Sequence, residues 1–208
     1  MLANNLTGKF LVLDGPDGCG KSSQCELLAK WLSAQGVSVE CFRDPGTTAI
    51  GEKIRQILLS VEHESMSTAA ELLLYMAARA QLWKEDIKPA LSENKCVLLD
   101  RWLSSTCAYQ GRAGGFGMEK IIQIAEDSLE RAWPDLTIIL DVDVETTSKR
   151  LGGELDRMEA KGQSYHEKVR EGFLGLAKQR DDVVVVDAGQ DIQAVGENII
   201  AIIESHFK

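Results

Sequence analysis

The sequence has little histidine, little proline and few aromatic residues, and no excess of positive charge. Its three histidines, His63, His166 and His206, are scattered and share no metal-ligand spacing. That removes a zinc site and a Ser-His-Asp arrangement from consideration. The net charge of -9 argues against a nucleic-acid polymer or an anionic membrane as partner, although a small phosphorylated ligand feels only local charge. No apolar run approaches the length of a membrane span, and the polar start at residues 1–8 does not read as a signal peptide. The five cysteines, Cys19, Cys25, Cys41, Cys96 and Cys107, are odd in number and have no CxxC spacing. They read as reduced thiols of a cytoplasmic protein. No repeat or low-complexity linker divides the 208 residues, so a single domain with its own core is expected.

What is present begins with Gly15-Pro16-Asp17-Gly18-Cys19-Gly20-Lys21-Ser22, which fits the phosphate-binding pattern GxxxxGK[ST]. An apolar run, Lys9 to Asp14, precedes it. Leu27, Leu28, Trp31 and Leu32 recur at helical spacing after it. In this context the glycines let backbone N–H groups form a nest for phosphate oxygens, and the helix start adds free donors. Lys21 reaches the outer phosphates and the Ser22 hydroxyl serves Mg²⁺.

Further apolar runs at about 37–42, 96–100, 136–142 and 182–187 read as strands. Helical periodicity covers about 49–60, 67–81, a stretch around Pro89, 102–110, 118–130, 144–151, 163–179 and 192–206. Strands alternating with helices predict an α/β fold: a five-stranded parallel sheet with helices on both faces. Ligands of such sheets bind outside the carboxyl ends of the strands. Arg43 and Asp44 follow the second strand, and Asp100 and Arg101 the third, so these clusters converge with the glycine loop on one rim.

Each cluster carries more than one reading. Asp100 either orients Mg²⁺ and its waters or caps the next helix, and Arg101 beside it suits a second phosphate. Tyr75 and Arg79 share one helix face at i, i+4. They fit either a planar heterocycle, stacked on the ring and bonded by the guanidinium, or a buried tyrosine beside a structural salt bridge. Asp17 is a carboxylate inside an anion-binding loop. Its task is then a sugar hydroxyl or a metal, or else it is a solvated loop residue. Arg150, Arg157 and Lys161 lie about the glycine-bearing segment near 150–162, which reads as a short lid able to close over an anion, or as an exposed charged loop.

Taken together the chain resembles the thymidylate kinase family over nearly its full length. The carrying stretches are Gly15–Ser22 with Asp17, Arg43-Asp44-Pro45-Gly46-Thr47-Thr48, Glu71 to Arg79, Asp100 to Ser105 continuing through Ala108-Tyr109-Gln110-Gly111, and Gly153 to Glu159. The resemblance implies a P-loop kinase fold and transfer of the γ-phosphoryl of MgATP to dTMP, giving dTDP and ADP, by a cytoplasmic homodimer. It places Gly15, Asp17, Gly18, Cys19, Gly20, Lys21, Ser22 and Ser23 on the ATP phosphates and Arg150 against adenine, with Ser22 and Asp100 on Mg²⁺. It assigns Arg43 and Arg101 to the acceptor phosphate, with Ser105 in the acceptor site. Asp17 takes the 3′-hydroxyl, Tyr75 stacks on thymine and Arg79 bonds a thymine carbonyl. Tyr109 crowds the 2′ position and Gln110 meets the base edge. The loop has Gly18 where some members carry an arginine, so Arg157 is expected to stabilise the transferred phosphoryl, beside Lys21, Arg101 and Asp100.

The turn departs from the family's Arg-Glu-Pro-Gly-Gly-Thr at Asp44 and Thr47, which puts the aim of Arg43 in question. Trp102 replaces the usual Tyr. The alternatives are a P-loop kinase for another nucleotide or deoxynucleoside, and a non-catalytic nucleotide-binding relative. An Asn-Lys-x-Asp guanine motif is absent from the sequence.

Overall fold

The computed structural model describes residues 2–152 and 155–208. Five apolar segments form strands: β1 (Phe10–Asp14), β2 (Val39–Arg43), β3 (Cys96–Asp100), β4 (Leu136–Asp141) and β5 (Val183–Asp187). All pair in parallel in the order β2-β3-β1-β4-β5. The order follows burial. β1, β3 and β4 are buried along most of their length and lie inside, whereas β2 and β5 are part-exposed and take the edges.

Alternate residues of β1 face opposite layers, as the two-residue period of a strand requires. Phe10 and Val12 join Leu99, Leu72, Phe173 and Ile121 in one core layer, and Leu11 and Leu13 join Leu98, Leu28, Leu32 and Ile199 in the other. The helices behind these layers are α1 (Leu2–Leu6), α2 (Lys21–Ala34), α3 (Ala49–Leu59), α4 (Thr68–Leu82), α5 (Lys88–Ser92), α6 (Leu103–Thr106), α7 (Met118–Ser128), α8 (Val144–Arg150), α9 (Gln163–Ala177) and α10 (Ile192–His206). The short α1 lies in the polar start of the chain, where periodicity gave no signal; Leu6 anchors it in the core.

Two wide turns modify the expected helices. Trp83–Ile87 is π-helical and joins α4 to α5, with Lys88 N–H bonded to Trp83 O. A proline cannot donate to the preceding turn, and the widened turn just before Pro89 lets the helix continue through it. Cys107–Ala113 is also π-helical and carries the helix past Gln110 through Gly111.

The register sets the rim. Arg43 pairs with Asp100, and Asp100 with Leu13, at the carboxyl ends of adjacent strands. The glycine loop leaves β1 between them and β4, where the chain order reverses across the sheet.

Candidate active site

The glycine loop is built as the motif requires. At Gly15 (φ 142°) a Cβ would lie 2.6 Å from Leu140 O, and at Gly18 (φ 76°) 2.9 Å from Thr147 O, so both positions exclude side chains. The start of α2 has no side-chain cap, and Gly20 leaves its first N–H groups free. The Lys21 ammonium donates to Pro16 O at 2.7 Å and Gly15 O at 3.1 Å. Cys19 is buried under the loop, and burial pushes its thiol up, against the pull of Lys21. It is a packing residue. Ser22 Oγ donates to Asp100 Oδ2 at 3.0 Å, which joins the loop to the end of β3.

A cavity of about 490 Å³ opens over this loop, lined by Gly18, Gly20, Lys21, Ser22, Ser23 and Asp100, with Arg43, Arg55, Arg101 and Arg150 around it. Next to it lies a narrow slot of about 60 Å³ bounded by Tyr75, Arg79, Ser105, Tyr109 and Gln110. Asp17, Arg55, Arg101 and Asp156 line both spaces and so mark where they meet.

Arg101 sits at this junction with φ 71°, a left-handed conformation that a side chain disfavours. The cost is met by bonds around it. Its N–H donates to Leu13 O at 3.0 Å, and Nη1 donates to Gly15 O at 2.9 Å and to Ser105 Oγ at 3.0 Å. Nη2 pairs with Asp17. Asp14, fully buried, holds the turn from below: it accepts from Gly15 N–H, Ser105 N–H and the hydroxyls of Ser104 and Ser105 at 2.5–2.8 Å. Asp17 also accepts from Tyr109 Oη at 2.6 Å. Burial raises the Asp17 carboxyl, but Arg101, Lys21 and the Tyr109 hydrogen bond outweigh it and hold it below the usual value.

In the slot the Tyr75–Arg79 face carries a salt bridge, as one of its two readings had it. Tyr75 lines the slot, half-buried. Arg79 is 1% exposed and grips Asp44 with Nε at 2.8 Å and Nη2 at 2.6 Å. It also bonds Trp102 O and Thr106 Oγ1 and lies 5.1 Å over the Trp102 ring. Among the described residues Nη1 meets only the Met76 sulfur, at 3.5 Å, so it keeps donor capacity. Among the described residues Asp44 Oδ1 is buried without a hydrogen-bond partner.

The altered turn has a definite shape. Thr47 adopts φ 67°, where glycine would be unstrained. Its hydroxyl accepts from Arg43 N–H at 3.0 Å and its N–H donates to Glu52 Oε1 at 2.8 Å. Glu52 also takes Arg43 Nη2 at 2.9 Å, so the turn aims Arg43 at the wall of the larger cavity.

Arg150 ends α8, bonds Ala188 O at 3.2 Å and lines the larger cavity. Arg157 does not join it. The Arg157 guanidinium is buried, with Nε on Leu58 O at 2.7 Å and Nη2 2.5 Å from Glu71 Oε2. Its own N–H bonds Leu59 O at 3.1 Å. The segment toward the cavity is instead Asp156 and Glu159, which cap each other's backbone N–H groups. Gly153 and Glu154 of this segment lie outside the described residues.

Sequence reasoning missed Arg55, Asp14 and Glu71. Arg55 follows buried Ile54 on α3, and burial and Arg43 push its guanidinium down. Its closeness to Arg43, one helix beyond the turn, was the available signal. Asp14 and Glu71 find their partners across the fold, and nothing local announces them.

A phosphate loop heading a five-stranded parallel sheet, with a cavity over the loop and a narrow slot beside it, is the fold of a P-loop kinase. The thymidylate kinase family profile matches residues 13–199. The thymidylate kinase of Thermoanaerobacter sp. strain X514 is 40% identical over 204 residues, 97% of this chain and all of the relative. That of Ectopseudomonas mendocina is 42% identical over 203 residues, covering 96% and 97%. The crystal structure of thymidylate kinase from Ehrlichia chaffeensis superposes with a TM-score of 0.77 at 32% identity, covering 94% of this chain and 98% of that one. The chain belongs to the thymidylate kinase family.

Proposed function

We propose that this single-domain kinase moves the γ-phosphoryl of ATP to the 5′-phosphate of dTMP, giving dTDP and ADP. The observation that carries the reading is the shared boundary of the two cavities: Arg101, Arg55 and Asp17 face both at once. A phosphoryl group passing between two bound nucleotides crosses at that point.

The acceptor oxygen is already anionic, so no strong general base is needed. It attacks the γ-phosphorus, the bond to the bridging oxygen breaks, and ADP leaves. The chain's work is positioning and charge neutralisation. Lys21 swings from its loop carbonyls to the outer phosphates. Gly15, Gly18, Cys19, Gly20, Ser22 and Ser23 hold the ATP phosphates through the loop and the start of α2, and Arg150 lies against adenine. Arg101 and Arg43, joined by Arg55, hold the acceptor phosphate. Asp17 takes the 3′-hydroxyl, with Tyr109 beside it excluding a 2′-hydroxyl. Tyr75 stacks on the base, while Arg79 and Gln110 bond its edge.

Mg²⁺ fits the rim. Among the described residues no three carboxylate, thiol or imidazole groups are placed to hold a metal ion. The Ser22 hydroxyl and Asp100 carboxylate, 3.0 Å apart, supply the sparse oxygen set of a phosphate-bound Mg²⁺. When bound, the ion neutralises phosphate charge.

A homodimer through the helices beside the acceptor slot is the assembly we propose, since α3 exposes Ile50 and Ile57 and its neighbour α4 exposes Leu73. No helix of the described residues is long and apolar enough to cross a membrane. The five unpaired cysteines fit a reducing cytoplasm.

The test is ADP production from MgATP with dTMP beside dUMP, dCMP, dGMP, AMP and thymidine. Strong preference for dTMP is expected. A better rate with a purine nucleotide or a nucleoside would overturn the acceptor assignment.

A further inference from the structure

Glu71 lies on the slot-facing side of α4, one turn before Tyr75 and two before Arg79. It is 3% exposed. One oxygen accepts from Gln110 Nε2 at 2.7 Å. The other lies 2.5 Å from Arg157 Nη2 and 3.8 Å from Lys161 Nζ. A carboxylate only accepts, so the NH₂ side of Gln110 is the side that meets it. Gln110 is 1% exposed and lines the slot; among the described residues its Oε1 accepts no hydrogen bond.

We infer that Glu71 is a positioning residue that fixes the orientation of the Gln110 carboxamide and thereby makes the slot read a ring N–H. This rests on the dTMP reading above. With its NH₂ committed to Glu71, Gln110 offers an acceptor to the base. Arg79, in the same slot, offers only donors. An acceptor beside a donor matches an N–H beside a carbonyl, the N3–H and O4 edge of thymine. Cytosine presents the opposite pattern, an acceptor nitrogen and an amino group. Guanine shares the N–H and carbonyl pattern, so this pair of groups separates thymine from cytosine and not from guanine. Arg157 and Lys161 act through Glu71, the carboxylate that also holds the base-reading amide.

The test is Glu71→Gln, which lets both amides turn. The kcat/KM ratio of dTMP to dCMP is expected to fall at least tenfold, about the worth of one discriminating hydrogen bond. KM for ATP should stay within about twofold of wild type, since Glu71 does not line the phosphate cavity. The exchange Glu71→Gln/Gln110→Glu is the second variant. It puts a carboxylate toward the base and leaves an amide oxygen for Arg157, so the ratio should recover most of the loss. A folded Glu71→Gln enzyme with the wild-type ratio would overturn the inference. So would a folded exchange variant without dTMP preference, which decides the matter where the single variant does not fold. On wild-type enzyme alone, N3-methyl-dTMP used as well as dTMP would overturn it too. A wild-type enzyme that does not prefer dTMP over purine nucleotides or thymidine would instead remove the acceptor assignment beneath it.

Discussion

The acceptor slot and the phosphate cavity are built in opposite ways. Around the slot, charged side chains are buried or part-buried and already paired: Arg79 with Asp44, Asp17 with Arg101 and Tyr109, Glu71 with Gln110 and Arg157. Around the phosphate cavity, Arg43 is half-exposed on Glu52, Arg150 has one carbonyl, and Lys21 rests on its own loop. On the proposed reading the slot would discriminate a neutral ring, which offers only a few hydrogen bonds, so its partners must be fixed beforehand. The cavity takes a polyanion, which orders flexible cations by its own charge.

Asp44→Ala should break this contrast most severely. It leaves Arg79 buried and unpaired, at a cost of about 3–5 kcal/mol. Urea unfolding should show that loss, and dTMP binding should fall with it. An equal loss from Arg43→Ala, the exposed counterpart, would remove the distinction between the regions.

Lys21→Ala should have the largest effect on rate with the least on structure. Turnover is expected to fall roughly 10³-fold. The melting temperature and dTMP affinity should stay close to wild type. A matching loss of dTMP binding, measured by calorimetry, would show that the regions are not separable.

The Asp17 carboxyl sharpens the contrast through pH. Its folded value is held below the unfolded one, chiefly by Arg101 acting against burial. The stability it contributes is therefore present above the unfolded value of about 3.9 and is lost as pH falls through the folded value. Unfolding at pH 7, 4 and 3 should show a steeper acid loss for wild type than for Asp17→Asn. Parallel curves would contradict the shift.

Thr47→Gly should change least. Relief of the left-handed strain, about 1–2 kcal/mol, offsets the lost hydroxyl bonds to the Arg43 backbone, about 1 kcal/mol. Turnover within about twofold of wild type is expected. A tenfold change in KM for dTMP would mean that the turn's shape sets the aim of Arg43.

The sequence revealed the two regions unequally, for a physical reason. The phosphate loop is a local motif, and its strand and helix come from contiguous periodicity, so Gly15 to Ser22 were legible. All five strands were also legible, although their spatial order was not, because apolar runs do not say which neighbours they choose. The slot depends on pairings between distant segments, such as Asp44 with Arg79 and Gln110 with Glu71. A cation in a charged segment can point either way. Arg157 turns inward because Glu71 and the Leu58 carbonyl await it there, which no spacing encodes. Arg101 shows the same limit in its backbone. Its place after β3 was legible, but its left-handed turn, held by Asp14 and two serines, was not.

The most direct test of the contrast is calorimetric titration of dTMP into the enzyme without ATP, repeated with a non-hydrolysable ATP analogue and Mg²⁺. A slot assembled in advance predicts binding in both, with affinities within about threefold. Binding of dTMP only after the ATP analogue would contradict it, and would place the ordering of Arg79, Gln110 and Asp17 under the control of the phosphate cavity.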